Sequence, residues 1–352
     1  MPATVVGLDI GRSAVRAVEL GRSGRRRVVR RHGSVPLPLG AVEAGVILDP
    51  AAVTGALRQL WREHKLTSRS VRLGVCSGSV LVRHLELDWM PAQDLRRALR
   101  YQVADLLPVA VDDANLDHVL LGERTRVDPE TGAERRLVDI LLVATARGNV
   151  DELVRCVQAA GLRPVTADLS PLALVRAAAA LTPPTGRAVT EAVIDVGGDK
   201  VAVAVHTAGV PHFVRVSPGL GGEMLTRAVA EGTGLSWPEA ERAKLAPVSS
   251  LEHRAQESLQ GAVEHLVGEI RATLAFHSAS DPEHVAERAL VTGGGAQHPQ
   301  FAGLCSRALG LPVEMLDPST LAPLARRHHG PDATGTPVDL AVSIGLCLGE
   351  TA

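Results

Sequence analysis

Two aspartates in this 352-residue chain sit in matching surroundings. Asp9 ends an apolar run (Val5, Val6, Leu8) and is followed two residues later by Gly11. Asp195 ends another (Ala192, Val193, Ile194) and is followed by Gly197 and Gly198. In both places a second apolar run returns, Val15 to Leu20 and Val201 to Val205, so each reads as a tightly turned β-hairpin with the carboxylate near its tip. A carboxylate there can hold a hydrated Mg2+. Gly11, lacking a Cβ, lets the backbone N–H groups of Arg12 and Ser13 approach a phosphate. One such stretch alone reads as an ordinary buried strand with a glycine turn. The second copy, about half a chain further on, implies two similar domains facing across a cleft, their carboxylates converging on one metal–phosphate group and their turns clamping the phosphates from both sides.

Two further glycine clusters bear on that chemistry. Gly219 to Gly222 precedes a helix, where free N–H groups and the helix dipole would favour an anion. Gly293, Gly294 and Gly295 end the apolar strand from Ala289, a bend that allows backbone to approach a planar group such as an adenine ring. Glu241 and Lys244 fall one turn apart on a helix and by themselves read as a surface ion pair.

The elements that must position these residues are legible from periodicity. Asp49 is placed to cap a helix starting at Pro50, with Val53, Leu57, Leu60 and Trp61 at helical spacing. From Val80 the pattern changes to strand, helix (Leu95, Leu99 and Val103 on one face), two strands joined by a polar stretch from Glu123 to Arg136, and a helix from Val150. This is a small α+β insertion suited to protein contact. Thr182 to Gly186 reads as the interdomain hinge. Leu259, Val263, Leu266, Ile270 and Leu274 mark one face of a long helix, and a last helix runs from Val338 to Gly349.

Composition narrows the function classes. A 45% hydrophobic share with 22% charged residues is that of a folded soluble protein, and a net charge of −2 argues against a general nucleic-acid binder. Cys76, Cys156, Cys305 and Cys347 show no metal-binding spacing and are expected as reduced thiols. No signal-peptide pattern opens the chain and no apolar run is long enough to span a bilayer, so a cytoplasmic location is expected. The P-loop, a complete GxGxxG, HExxH and GxSxG are all lacking.

Taken in order, these pieces resemble the PilM family of type IV pilus assembly proteins, on the FtsA-like branch of the actin, Hsp70 and hexokinase superfamily. The resemblance is carried by GLDIG at Gly7 to Gly11 with VRAVEL at Val15 to Leu20, YQVADLLPV at Tyr101 to Val109 and ADLSPLALVRA at Ala167 to Ala177. IDVGG at Ile194 to Gly198, LGGEMLT at Leu220 to Thr226, AERAK at Ala240 to Lys244, EIRATLAF at Glu269 to Phe276 and VTGGGA at Val291 to Ala296 extend it through the second half.

What the resemblance implies is an α/β, actin-like (ribonuclease H-like) duplicated fold: a first domain at 1–79, an inserted FtsA-type module at 80–163, a return and hinge at 164–186, and a second domain at 187–352 with a helical subdomain at 232–286. It further implies ATP in the cleft, bound by Asp9, Gly11, Arg12, Ser13, Arg16, Asp195, Gly197, Gly198, Gly221, Gly222, Glu241, Lys244, Gly293, Gly294 and Gly295, with Mg2+ held through water by Asp9 and Asp195. The implied partner is the N-terminal cytoplasmic peptide of a PilN-like inner-membrane protein, bound with the help of the module, so that the protein is recruited to the inner membrane and links it to pilus motors. Contact with the pilus assembly ATPases and self-association stay open. Departures from the family pattern (Arg12 and Ala14 beside Ser13, Arg16 for a lysine, Asp199, Lys200 and Val201 in the second turn, Ser170 for an acid) bear on hydrolysis more than on binding, and slow or absent turnover is expected. The alternative is a small-molecule kinase on the same fold.

Overall fold

The first hairpin turns where a side chain would obstruct it: the Gly11 N–H closes the turn on the Ala14 carbonyl at 3.0 Å. Strands β1 (Val6–Ile10), β2 (Ala14–Ser23) and β3 (Arg26–Pro36) form an antiparallel meander. A two-residue pair, β4 (Val42–Glu43) and β5 (Val46–Ile47), leads to helix α1 (Pro50–Glu63). As its spacing predicts, α1 has Pro50 in its first turn and the Asp49 carboxylate accepting from the Ala52 N–H at 2.9 Å. Strand β6 (Ser70–Val75) then lies parallel to β1. The computed structural model describes residues 5–23, 26–107, 109–127, 132–182, 187–247, 250–317, 322 and 340–349. The hinge residues 183–186 and the start of the last helix at 338–339 lie outside them.

The insertion comprises β7 (Leu81–Asp88), α2 (Ala92–Gln102), β8 (Ala114–Val127) and β9 (Glu134–Ala146), three strands in the order β7-β9-β8 with Leu95, Leu99 and Val103 of the helix side packed on Val138, Ile140 and Leu142. The polar stretch expected as a turn is largely strand. Its ends pair up to Val127 opposite Glu134, because arginines meet carboxylates across the sheet: Arg136 with Glu123 at 2.5 Å, Arg135 with Asp88 at 2.7 Å and Arg124 with Glu86. Helix α3 (Arg147–Ala159) touches the insertion at its start, where Arg147 donates to the Ala114 carbonyl at 3.3 Å, while its Leu153, Cys156 and Val157 join the core beneath the first sheet, with Val53 and Leu57. The three strands and the helix of this sheet lie within 81–146.

Strand β10 (Arg163–Leu169) completes the first sheet, β10-β6-β1-β2-β3, and runs into α4 (Ser170–Leu181). The second half repeats the scheme. It comprises β11 (Thr190–Val196), β12 (Lys200–Thr207), β13 (Val210–Pro218), α5 (Gly222–Thr233), α6 (Trp237–Lys244), α7 (His253–Ser280), β14 (Arg288–Thr292), α8 (Phe301–Leu309), β15 (Val313–Met315) and α9 (Ala341–Leu348). Its sheet runs β13-β12-β11-β14-β15: again a three-stranded meander followed by two parallel strands. Leu259, Val263, Leu266, Ile270 and Leu274 of α7 are all buried in the core of this sheet.

Two helices are exchanged between the halves. Helix α4 follows the first sheet in sequence, yet Ala173, Leu174 and Ala178 pack with Val193 and Leu290 of the second. Helix α9 follows the second sheet and lies against the first: the Ser343 backbone fills the space beside Gly7, where a Cβ would stand 2.9 Å from its carbonyl carbon. Arg72 of β6, 6% exposed, donates to the carbonyls of Leu346 (3.1 Å), Cys347 (3.4 Å) and Gly349 at the α9 C-terminus.

Burial also sets a pH response. His212 on β13 stacks on His284 with ring centroids 3.6 Å apart, and burial, reinforced by His284, pushes its imidazole down to about 4. Burial shifts His32, His206 and His298 the same way. Below an ordinary imidazole value of about 6.5, the unfolded chain takes up protons that the folded one refuses, so stability is level above that pH and falls as pH drops toward 4. Thermal unfolding followed from pH 7 to pH 5 should show this decline, and a smaller one in His212→Phe; equal slopes would dissociate His212 from it.

Candidate functional site

Between the two sheets opens a cleft of about 360 Å3, within the range of small-molecule sites. The two hairpin tips form opposite walls. The Gly197 N–H closes the second turn on the Lys200 carbonyl at 2.9 Å, the counterpart of Gly11 with Ala14. Asp9 lies opposite Arg16 across its hairpin, and Asp195 opposite Ala202 across the other. Asp9, Gly11, Arg12, Ser13, Arg16, Asp195, Gly197, Gly198, Gly222, Glu241, Lys244, Gly293, Gly294 and Gly295 all line the cleft; of the residues singled out in the sequence, Gly221 alone is not among them.

Gly221 belongs to the support. Its φ of 144° turns the chain into α5 so that the Gly222 and Glu223 N–H groups donate to the carbonyls of Gly197 and Gly198, both at 2.8 Å. Those amides, expected free for an anion, hold the second turn in place instead. Arg12 departs similarly. Its side chain leaves the phosphate wall, packs over Gly198 and spans the mouth, with Nε donating to Glu223 Oε1 at 2.7 Å and Nη1 to the Val42 carbonyl at 2.7 Å and Glu43 at 3.2 Å. The bond to Glu223 is the main cause holding its guanidinium pKa above the ordinary value. Beside it the Ala44 N–H, on a residue with φ of 46°, donates to Asp199 Oδ2 at 2.5 Å. Two contacts thus tie the β4–β5 turn and the first hairpin to the second domain across the cleft mouth.

On the far wall, β14 ends at Thr292 and the chain bends at Gly293 with φ of 91°. Lys244 is no surface residue. At 3% exposure its Nζ donates to Glu241 Oε1 at 2.7 Å, Thr226 Oγ1 at 3.1 Å and the Gly222 carbonyl at 3.4 Å. The surface-pair reading of Glu241 and Lys244 is corrected by Thr226 and the α5 N-terminus, which sit inward of the helix face that carries them. Gly222 and Gly295 approach closely here: a Cβ on Gly222 would stand 3.2 Å from the Gly295 Cα.

Cleft residues outside the sequence-derived set include Cys76, Ser170, Lys200 and Trp237. Trp237 had no motif to mark it. Lys200 had one available signal: on a strand paired through Asp195–Ala202, it falls on the same face as Asp195. The Cys76 thiol is pushed up to about 12, by burial first, then by Asp195, Asp9 and Asp199 against the opposing pull of Lys200, and it stays protonated at neutral pH. Asp168 is held by Arg176, while the buried Ser170 hydroxyl has no hydrogen-bond partner.

An anionic ligand fits this wall. Arg16 turns back beside Gly11, and its Nε is buried without a partner. The glycines leave backbone exposed on both sides, and the cleft could seat phosphates between the turns with a base toward Gly293 to Gly295. A divalent ion between Asp9 and Asp195 fits less well, because the Lys200 ammonium already lines the same space.

Comparison with known proteins follows the same geometry. The family pattern for type IV pilus assembly protein PilM matches residues 7–351. The solved PilM-PilN type IV pilus biogenesis complex superposes with a TM-score of 0.83 at 24% identity, over 99% of this chain and 98% of that one. The ethanolamine utilization protein EutJ of Carboxydothermus hydrogenoformans gives 0.58 at 17% (99% and 90%), and MreB5 of Spiroplasma citri bound to ADP gives 0.54 at 13% (98% and 95%). These share the actin-like fold. In sequence, cell division protein FtsA of Bacillus subtilis (strain 168) is 31% identical over 156 residues, 43% of this chain and 34% of the relative, so the match spans about a third of that protein's length.

Proposed function

This chain belongs to the PilM family of type IV pilus assembly proteins, and on that footing we propose that it is an actin-like assembly scaffold that holds ATP in its interdomain cleft and grips the N-terminal cytoplasmic peptide of a PilN-like inner-membrane protein. The observation that carries the nucleotide half is the facing pair of glycine turns, with Arg16, its Nε unpartnered, beside the first of them. The partner half rests on the fold shared over nearly the full length with the PilM-PilN complex. Recruitment to the cytoplasmic face of the inner membrane follows from that partner. A family match running from 7 to 351 does not favour the small-molecule kinase reading.

Arg16 would neutralise phosphate charge, the two turns would orient the phosphates, and the bend at Gly293 would receive the base. Slow turnover fits Ser170, a neutral hydroxyl with no second group to draw a proton from water. The peptide is assigned to the insertion. Strand β7 lies against Val214 of β13 through Val82, whereas among the described residues no strand pairs with the outer edge of β8, where Leu120 and Val127 are exposed. Strand addition there would satisfy a row of open backbone groups.

The test is removal of 81–146. Leu81 and Ala144 are directly paired, so a short linker can close the gap. Fluorescence anisotropy with a labelled PilN-like N-terminal peptide should show binding to the parent and none to the deletion, while calorimetry finds ATP affinity changed by less than about threefold. A folded deletion that still binds the peptide would remove the module from this role.

A further inference from the structure

We propose that Lys200 is the resident cation of the cleft, so that the protein takes its nucleotide without a divalent metal ion. The inference rests on the nucleotide reading above but concerns a different residue. Ala202 stands directly opposite Asp195 in the β11–β12 ladder, so Lys200, two residues earlier on the same strand, projects from the same face as Asp195 at a diagonal position that a long side chain reaches. That face is the cleft: Lys200 lines it together with Asp9 and Asp195. Its side chain is only 12% exposed, and Nζ lies 3.8 Å from Asp199 Oδ1.

The setting is that of a charge built in, not one passing through. Burial opposes the ammonium, while the nearby carboxylates of Asp199, Asp9 and Asp195 favour it, and the net shift of its pKa is upward. Each hairpin thereby carries its own cation facing its own carboxylate, Arg16 across from Asp9 and Lys200 diagonal to Asp195. A divalent ion brought between the two aspartates would meet both fixed positive charges, at a place where desolvation strengthens repulsion. A phosphate chain in the same place would meet two compact or forked donors already in position, the lysine acting as a point charge on phosphate oxygens. The ligand class is thus a nucleoside triphosphate or diphosphate taken free of metal.

The experiment titrates the full-length protein with ATP by calorimetry, once in excess EDTA and once in Mg2+, and separately titrates the nucleotide-free protein with Mn2+ followed by electron paramagnetic resonance. The parent should bind ATP with dissociation constants within about threefold of each other in the two buffers and should bind no Mn2+. Lys200→Gln should bind ATP at least tenfold more weakly in EDTA, regain affinity in Mg2+, and acquire one Mn2+ site; Lys200→Arg should keep the parent's indifference to metal. Loss of the parent's ATP binding in EDTA, or a stoichiometric Mn2+ site in the parent, would overturn the proposal. So would a folded Lys200→Gln that gains no metal dependence. If ATP binds in neither buffer, the nucleotide reading falls while the Mn2+ titration still decides: a site present only in Lys200→Gln upholds Lys200 as the cleft's cation, and no gain rejects it.

Discussion

Gly345→Val is expected to lower the stability of the whole protein by about 3 kcal/mol or more, well above an ordinary surface change. Gly345 is where α9 crosses α4. A Cβ there would fall inside the contact distance of the Ala173 carbonyl oxygen and 2.6 Å from its carbon, both backbone atoms. Neither helix can step aside. Arg72 grips the last turn of α9, its Ser343 backbone is already pressed against β1 at Gly7, and α4 is packed through Ala173, Leu174 and Ala178 against the second sheet. Since interiors are close-packed, the overlap has to be relieved by parting the two halves. Urea denaturation read by circular dichroism should show the midpoint fall with the transition broadened. An unchanged midpoint would mean that the α4–α9 crossing is looser than the structure has it.

Gly293→Val is expected to weaken ATP binding at least about a hundredfold, equivalent to about 2.7 kcal/mol. Its φ of 91° is strained for any residue with a side chain. The added Cβ would press on the Asp195 carboxylate and the Val196 carbonyl, standing 2.7 Å from the Val196 carbon. Relief moves the β14 bend away from the cleft or pushes Asp195 off its hairpin, and either change alters the wall proposed to receive the nucleotide. Gly268→Ala serves as the control. It lies within α7 with nothing near its added methyl, so affinity should hold and stability should rise by about 0.5–1 kcal/mol. Calorimetric titration of both variants separates the effects; undiminished ATP affinity in Gly293→Val would take the glycine bend out of the site.

Much of the site was legible because its signal is local and occurs twice. A strand, an aspartate, a residue and a glycine need nothing distant to be recognised, and the repetition at Asp195 turned a weak pattern into a paired one. The cap at Asp49 and the apolar line of α7 were likewise readable, each depending on residues within a turn or two. What escaped depends on partners remote in the chain. Lys244 reads as exposed until Thr226 and the Gly222 carbonyl are placed beneath it. Arg12 reads as a phosphate-turn residue until Glu223, 211 residues away, accepts its Nε. The polar stretch after Glu123 hid a strand because its pairing is carried by ions rather than by apolar alternation. No pattern within α4 or α9 says which sheet each will cover.

That exchange of helices has a consequence for how the protein comes into being. Strand β1 leaves the ribosome long before α9, yet β1 is covered by α9. Until residues 341–348 have been made, the underside of the first sheet has no cover and Arg72 has no carbonyls to hold. The first half therefore cannot finish folding as it emerges, and its closing contacts have the longest sequence separations among the described residues, which slows their formation. A nascent chain interrupted before α9 would carry an open apolar face, a mark by which chaperones and proteases distinguish an unfinished copy from a finished one.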